Sequence, residues 1–482
     1  MRRAKIVATL GPATESYEMI RAIIDAGVDV TRMNLSHGAY PDHEVRFANV
    51  RKAADDAGRA VAILVDLQGP KIRLGKFAAG PHDLAAGDIF KITTEDIVGT
   101  KEIVSTTFKG LPGDVNPGDD LLIDDGKVRV RVESVDGPVV TTRVIVAGAV
   151  SNNKGINLPG VAVSVPALSE KDEADLRWGL HAGADLIALS FVRDASDIVR
   201  VHEIMAEEGR KVPVIAKIEK PQAVDNLEEI IDSFDGIMVA RGDLAVELPL
   251  EAVPIVQKRA VELCRRMAKP VIVATQMLES MTYSPVPTRA EASDVANAVL
   301  DGADAVMLSG ETSIGEYPVV TVETMARIIA STEEHGLERI APVTTRPRTQ
   351  GGIITLAANE VAEFIEAKYI CLFTESGDTA RRMSRLRPRI PMMAFSVDPA
   401  IRRRMAITWG VQSVLGEHVT HTDLLFLQVD EFFLGSGLAQ IGDKVVVISG
   451  SPPGIIGSTN DIRVHRIGDA VEGKAPVYQT VK

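Results

Sequence analysis

Cysteine is almost missing: the 482 residues contain two, Cys264 and Cys371. Two thiols cannot frame a chain of this size with disulfides, and no metal-ligand spacing accompanies them. Both lie in apolar patterns and read as core residues of a protein from a reducing compartment, the cytoplasm. Long apolar runs are missing too. None approaches the roughly 18–20 residues of a membrane span. The basic start Met1-Arg2-Arg3 leads into an apolar stretch that ends by Leu10 with no small-residue cleavage site after it, so it reads as a strand and not a leader. Positive charge is in deficit, with Lys+Arg 53 against Asp+Glu 66 and a net charge of −13. Such a chain repels nucleic acid and anionic membrane at long range. An anionic substrate must therefore meet a local positive site or a bound metal. Short repeats and low-complexity segments are absent. What is present is ordinary for a soluble globular protein, 45% hydrophobic and 25% charged, and long enough for about three domains.

The pattern over 1–69 is strand, helix, strand, helix, strand, with strands at Lys5–Leu10, Asp29–Asn34 and Ala60–Leu67. From 70 to 164 turns and short alternating segments take over, as at Lys127–Val132 and Val139–Val146, which predicts an inserted all-β domain. Over 165–340 the strand–helix alternation resumes. Ser169 is the expected N-cap of its first helix, and strands follow at Asp185–Phe191, Val212–Glu219, Gly236–Ala240, Pro270–Met277 and Ala303–Ser309. Eight strand units, interrupted once, match a (β/α)8 TIM barrel, with a doubly wound sheet as the competitor. The barrel is preferred because polar residues crowd the C-terminal ends of most strands, where a barrel builds its site. Residues 335–350 read as a linker, and 350–482 as a further α/β domain.

Lys217 and Glu219 lie two apart on one strand and share a face; a structural ion pair is the plain alternative. Asp243, at the next strand end, supplies a second carboxylate, and two carboxylates suit a hard cation that fills its shell with water and substrate oxygens. Gly242 permits close backbone approach, and amides there suit a carboxylate or phosphate. Arg32 and Asn34 share a face of the second strand, and Arg suits a phosphoryl group. Strand three ends in the charged turn Asp66-Leu67-Gln68-Gly69-Pro70-Lys71-Ile72-Arg73. Strands seven and eight end Ala274-Thr275-Gln276-Met277 and Leu308-Ser309-Gly310-Glu311-Thr312. Any one of these could be surface decoration, but together they point to a site.

These residues, with Ala4–Ala13, Arg32–Gly38, Ala216–Glu219, Met238–Asp243, Ala274–Met281 and Met307–Thr312, resemble the pyruvate kinase family over essentially the whole chain. The resemblance implies phosphoryl transfer from phosphoenolpyruvate to ADP, giving pyruvate and ATP, the last step of glycolysis. Carried over residue by residue, it implies that Glu219 and Asp243 hold Mg2+ (or Mn2+) and that Lys217 and Arg32 grip the migrating phosphoryl group. Gly242 and Asp243 amides with the Thr275 hydroxyl take the substrate carboxylate, and Thr275 is the expected proton relay to the enolate. Asn34, His37, Arg73 and Lys154 form the nucleotide side, and the insertion serves as a lid. The resemblance also implies a homotetramer. Many members hold K+ at positions matching Asn34, Ser36, Asp66 and the Leu67 carbonyl. Those members read Asp-Thr-Lys-Gly-Pro-Glu where this chain reads Asp66-Leu67-Gln68-Gly69-Pro70-Lys71. An ammonium in place of that carboxylate makes K+ redundant or repelled, so independence of K+ is expected.

In the last domain the loop Thr374, Glu375, Ser376, Gly377, Asp378, Thr379 resembles the family's sugar-phosphate effector loop. Glu375 and Asp378 weaken the case for a bisphosphate, and an ordinary helix cap is the plain alternative. Arg402-Arg403-Arg404 and the Arg381–Arg389 cluster read as solvated helix faces or subunit contacts. Gly435–Gln440 lacks the third glycine of a dinucleotide fingerprint and reads as a loop. Two rivals share parts of this pattern. A metal-dependent lyase or aldolase of α-keto acids would need the acids but neither the lid nor Lys217 and Lys154. A non-catalytic metabolite sensor would be expected to have lost Lys217, Glu219, Asp243 or Arg32, and all four are present.

Overall fold

The computed structural model describes residues 2–471 apart from positions 125, 162, 163, 165 and 420; the expected end of the last domain, 472–482, lies outside the described residues. Eight parallel strands close into a barrel in sequence order: Lys5–Thr9, Val30–Asn34, Ala62–Asp66, Leu186–Leu189, Val214–Ile218, Gly236–Ala240, Val271–Ala274 and Ala305–Leu308. Their runs of Val, Ile and Ala are buried on both faces, as a helix-wrapped parallel barrel demands. Val7, Val30, Leu64, Ala188, Ile215, Met238, Ile272 and Met307 fill the interior. The surrounding helices are capped by local chemistry. Ser169 accepts from the Asp172 amide and Asp172 answers its N–H, a reciprocal cap that starts Glu170–Ala182. Gly183, at φ +97°, ends it in the left-handed conformation.

After the third strand the chain leaves the barrel for a six-stranded sheet, ordered Ile156–Asn157, Asp120–Ile123, Val128–Asp136, Val139–Val146, Ile89–Thr93, Ile103–Ser105. It has its own core around Phe90, Leu121, Val130 and Val140. Its two stems meet where Arg73 bridges Gly155.

The last domain is a five-stranded sheet, ordered Val411–Leu415, Met392–Ser396, Tyr369–Phe373, Lys444–Gly450, Thr459–Arg466, parallel except for the final strand. The segment expected to be a linker is partly helical: Pro318–Gly336 continues into it, a 3-10 turn covers Leu337–Arg339, and the next helix starts at Gln350.

This domain seats against the N-terminal ends of the barrel strands, and arginines make the joint. Arg387 donates to the Gly302 carbonyl at 2.5 Å and lies 3.3 Å from Asp304. Arg403 donates to Asp185 at 2.9 Å, Arg402 to the Gly58 carbonyl and Arg404 to the Lys211 carbonyl. The reading of Arg387 and Arg402-Arg403-Arg404 as solvated helix faces is therefore wrong: they are half-buried or buried contacts between two parts of one chain, whereas Arg389 is exposed. Their partners lie far away in sequence, so no local pattern announces them. Ala406 and Ile407 plug the barrel floor. Cys264 and Cys371 are buried. Among the described residues no helix is long and apolar enough to cross a membrane.

Candidate active site

Strand parity builds the site. Interior residues recur every second position, so the residue two beyond the last apolar one faces the barrel mouth. Val7 leads to Thr9, Val30 to Arg32, Leu64 to Asp66, Ala188 to Ser190, and Ile215 to Lys217 and Glu219. Five different strands thus deliver polar groups to one rim.

Arg32 Nε donates to Asp66 Oδ2 at 2.6 Å, and its Nη1 donates to Thr9 Oγ1 at 3.1 Å. Lys217 Nζ lies 2.9 Å from Glu219 Oε1 and 3.4 Å from Asp66 Oδ1, and donates to Ser190 Oγ at 2.7 Å. The second Glu219 oxygen accepts from the Phe191 N–H at 2.7 Å. Phe191 has φ +56°, a conformation uncommon outside glycine; it points this amide at the acid.

Burial alone would depress the Lys217 ammonium, but the Asp66 and Glu219 carboxylates outweigh it and hold the pKa above its ordinary value. Burial would likewise raise Asp66, yet Lys217 and Arg32 keep it below the usual carboxylate range. Glu219 goes the other way. Burial pushes it up, Lys217 opposes, and the nearby Asp243 carboxylate pushes further.

Asp243 stands in the first turn of the short helix Arg241–Glu247 that follows strand six. Among the described residues no three His, Cys, Asp or Glu cluster as a metal cage. A pair of acids whose mutual repulsion lifts one pKa is instead what a hard divalent ion relieves, so the donor set fits Mg2+ or Mn2+ with water and substrate completing the shell. The three carboxylates and two cations sum to −1, which a divalent ion turns to +1.

Thr275 has φ +69°. Its hydroxyl accepts from the Gly242 N–H at 2.7 Å and donates to the Ala274 carbonyl at 2.6 Å. The residues expected to take the substrate carboxylate are therefore adjacent, and engaged with each other.

The expected nucleotide residues are more dispersed. Asn34 Oδ1 accepts from the Ser36 N–H at 3.1 Å, and His37 is exposed at the same rim. Arg73 donates to the Asn153 carbonyl at 3.1 Å, and Lys154 pairs with Asp124 at 3.0 Å, both at the stems of the inserted sheet. In the expected monovalent-cation pocket, Asp66 is held by Arg32 and Lys217, and the Leu67 carbonyl accepts from Ser190 at 2.8 Å. Lys71 is exposed and lines the cleft shared with Asp243, Phe191 and Lys220.

The loop expected to hold an effector phosphate closes through Thr374 Oγ1, which accepts from the Gly377 N–H at 2.9 Å; Gly377 has φ +79°. Ser376, Thr379, Ser458 and Thr459 line a cavity there with Glu375, Asp378, Glu417 and His418. Ser190 and Phe191 escaped the sequence reading; the available signal was a serine at the end of barrel strand four.

A barrel with an inserted β-sheet, whose rim joins paired acids to a buried ammonium and a guanidinium, has the parts of a phosphotransferase. Residues 1–322 match the family described as "Pyruvate kinase, barrel domain", and residues 353–465 match "Pyruvate kinase, alpha/beta domain". The chain is 55% identical over 468 residues to a pyruvate kinase of Mycobacterium intracellulare, covering 97% of this chain and 99% of that one. It is 44% identical over 476 residues to one from Geobacillus stearothermophilus, covering 97% and 81%. A solved pyruvate kinase from Cryptosporidium parvum superimposes with a TM-score of 0.91 at 34% identity, covering 97% of this chain and 96% of that chain. The chain belongs to the pyruvate kinase family.

Proposed function

We propose that this chain transfers the phosphoryl group of phosphoenolpyruvate to ADP, giving pyruvate and ATP as the last step of glycolysis. The observation that carries the reading is the meeting of Lys217, Arg32, Glu219 and Asp243 at one rim beneath a lid. Glu219 and Asp243 would hold Mg2+ or Mn2+, which when bound supplies positive charge to the phosphoryl oxygens.

The remaining work falls to side chains and amides. A loose phosphoryl-transfer transition state asks for positioning and positive charge around the equatorial oxygens. Lys217 is fixed by Asp66, Glu219 and Ser190, so its charge is oriented before substrate arrives. Arg32, pinned by Asp66, keeps further N–H groups for the phosphoryl oxygens. The substrate carboxylate would replace the Thr275 oxygen on the Gly242 N–H, adding Asp243's amide and the Thr275 hydroxyl. Thr275 then stands where a proton can reach the enolate through water. Asn34, His37, Arg73 and Lys154 would receive the nucleotide, and lid closure would exclude water as a competing acceptor.

Lys71, where potassium-dependent relatives carry Glu, makes the reaction independent of K+ in this reading. The cleft around Ser376 and Thr379 would admit a phosphorylated effector; with Glu375, Asp378 and Glu417 alongside, a monophosphate suits its charge better than a bisphosphate. The exposed apolar side chains Leu250, Ile255, Tyr283 and Val286 are surface that a homotetramer would bury.

A lactate dehydrogenase-coupled assay with phosphoenolpyruvate, ADP and Mg2+ tests the reaction. Pyruvate formation that requires all three is expected. No pyruvate, or pyruvate without ADP, would sink the reading.

A further inference from the structure

A second charged cluster lies just behind the two metal-binding acids, and the reaction as described leaves it unused. Glu247 ends the helix Arg241–Glu247, one turn after Asp243. Its carboxylate is 2% exposed. One oxygen, Oε1, accepts from Lys220 Nζ at 2.6 Å and from Asn157 Nδ2 at 3.2 Å. Each partner belongs to a different moving or reacting part. Asn157 lies on the lid's returning stem, in the two-residue strand paired with Leu122 and Ile123. Lys220 follows Glu219 directly in the chain, and its ammonium sits 5.5 Å from the centre of the Phe191 ring. That ring is also wedged against the lid's outgoing stem: a Cβ at Gly69 would come within 2.6 Å of Phe191 Cδ2. The Phe191 amide, in turn, holds Glu219 Oε2.

We propose that Glu247 is a positioning residue that couples the lid to the metal-binding acids, tying Asn157 of the lid to Lys220 beside Glu219 and, through the helix it ends, to Asp243. The proposal deepens the reading above and rests on Glu219 and Asp243 being the metal ligands. A lid that shifts takes Asn157 with it and leaves Lys220 as the sole hydrogen-bond donor on the Glu247 carboxylate among the described residues. Loss of Glu247 strands a largely buried ammonium, which must move off the Phe191 ring and free the amide that aims Glu219. Lid position and metal affinity thus rise and fall together.

Mn2+ titration of the full-length chain, followed by electron paramagnetic resonance, reads the metal site without turnover. Asn157 hydrogen-bonds to neither Glu219 nor Asp243, so a purely local role leaves Mn2+ affinity unchanged in Asn157→Ala. Coupling weakens it about threefold or more, a fraction of the worth of one hydrogen bond to a charged group, and raises the KM for ADP more than it lowers kcat. Glu247→Ala weakens Mn2+ binding about tenfold or more, and Glu247→Gln, which keeps an acceptor for Asn157, falls between. The double variant Asn157→Ala/Glu247→Ala is no weaker than Glu247→Ala, because the lid's contact is already gone. If Glu247→Ala does not fold, Asn157→Asp decides the matter: its charge faces Glu247 and must weaken Mn2+ binding more than Asn157→Ala does. Wild-type Mn2+ affinity and ADP KM in Asn157→Ala, or losses that multiply in the double variant, overturn the proposal. A wild-type chain that binds Mn2+ but makes no pyruvate sinks the catalytic reading alone, since the coupling is still read from the titration.

Discussion

The two ends of the barrel use the same pair of residue types for opposite purposes. At the floor, Asp185 meets Arg51 and Arg403, and Asp304 meets Arg387 while accepting from the Trp409 and Val271 amides. Arg387 Nη2 also donates to the Gly302 carbonyl, and Arg402 donates to that of Gly58. Both acids are paired and hydrogen-bonded, and the arginines lock two domains together. At the mouth, Asp66 meets Arg32 and Lys217, but Asp243 stays close enough to add to the upward push that burial gives Glu219. An Arg–Asp pair by itself therefore says nothing about function. What distinguishes the mouth is a surplus of negative charge, with two acids crowded together beside an open cleft.

That contrast can be broken most sharply with Lys217→Met. Turnover should fall by about 10²–10³-fold, the usual loss when one preorganised charge at a transition state is removed, while the melting temperature stays near wild type. Near-normal turnover would mean that the mouth is structural as well. The mirror experiment is Asp304→Ala. Removing one partner of a buried pair costs about 3–5 kcal/mol, so chemical denaturation should show a marked loss of stability, with KM for phosphoenolpyruvate unchanged in the protein that stays folded. A raised KM with unchanged stability would erase the distinction.

A smaller effect concerns Asp29 at the floor. Burial works against its carboxylate, but Arg2, Lys5 and Arg59 hold its pKa below the ordinary value. A carboxylate depressed in the folded state adds stability that is fully present above the unfolded pKa of about 3.9 and is lost as pH falls toward the folded value. Asp29→Asn should flatten the acid limb of stability against pH; an identical acid limb in both proteins would refute the assignment. The smallest expected effect is at Lys71. Replacing KCl with tetramethylammonium chloride at equal ionic strength should leave kcat unchanged, and a many-fold rise on adding K+ would reverse the reading of that position.

The mouth was legible in the sequence because its geometry is local. Lys217 and Glu219 share a face by being two apart, and a strand end is visible from the apolar run before it. The same parity placed Arg32. Eight strand units in one chain made the barrel readable, and the shift to short alternating segments marked the insertion. The floor was not legible. Arg403 finds Asp185 more than 200 residues away, and a run of three arginines on a helix looks identical whether it faces water or another domain. Phe191 was opaque for another reason: its value lies in a backbone angle, which no side-chain pattern encodes. Lys71 could be read only as a departure from the family pattern, and its exposed position at the stem of the inserted sheet had no sequence signature.

The first strand also answers to the last domain. The Lys5 ammonium donates to the Val411 carbonyl, the Gly410 amide to the Arg3 carbonyl, and the Arg3 guanidinium lies over Trp409. Translation delivers these partners in the least convenient order. At about 5–20 residues per second, the opening segment waits about 20–80 s on the ribosome before its acceptor has been synthesised. Until then a lysine destined for burial must stay hydrated, so the earliest strand made is among the last to reach its final surroundings.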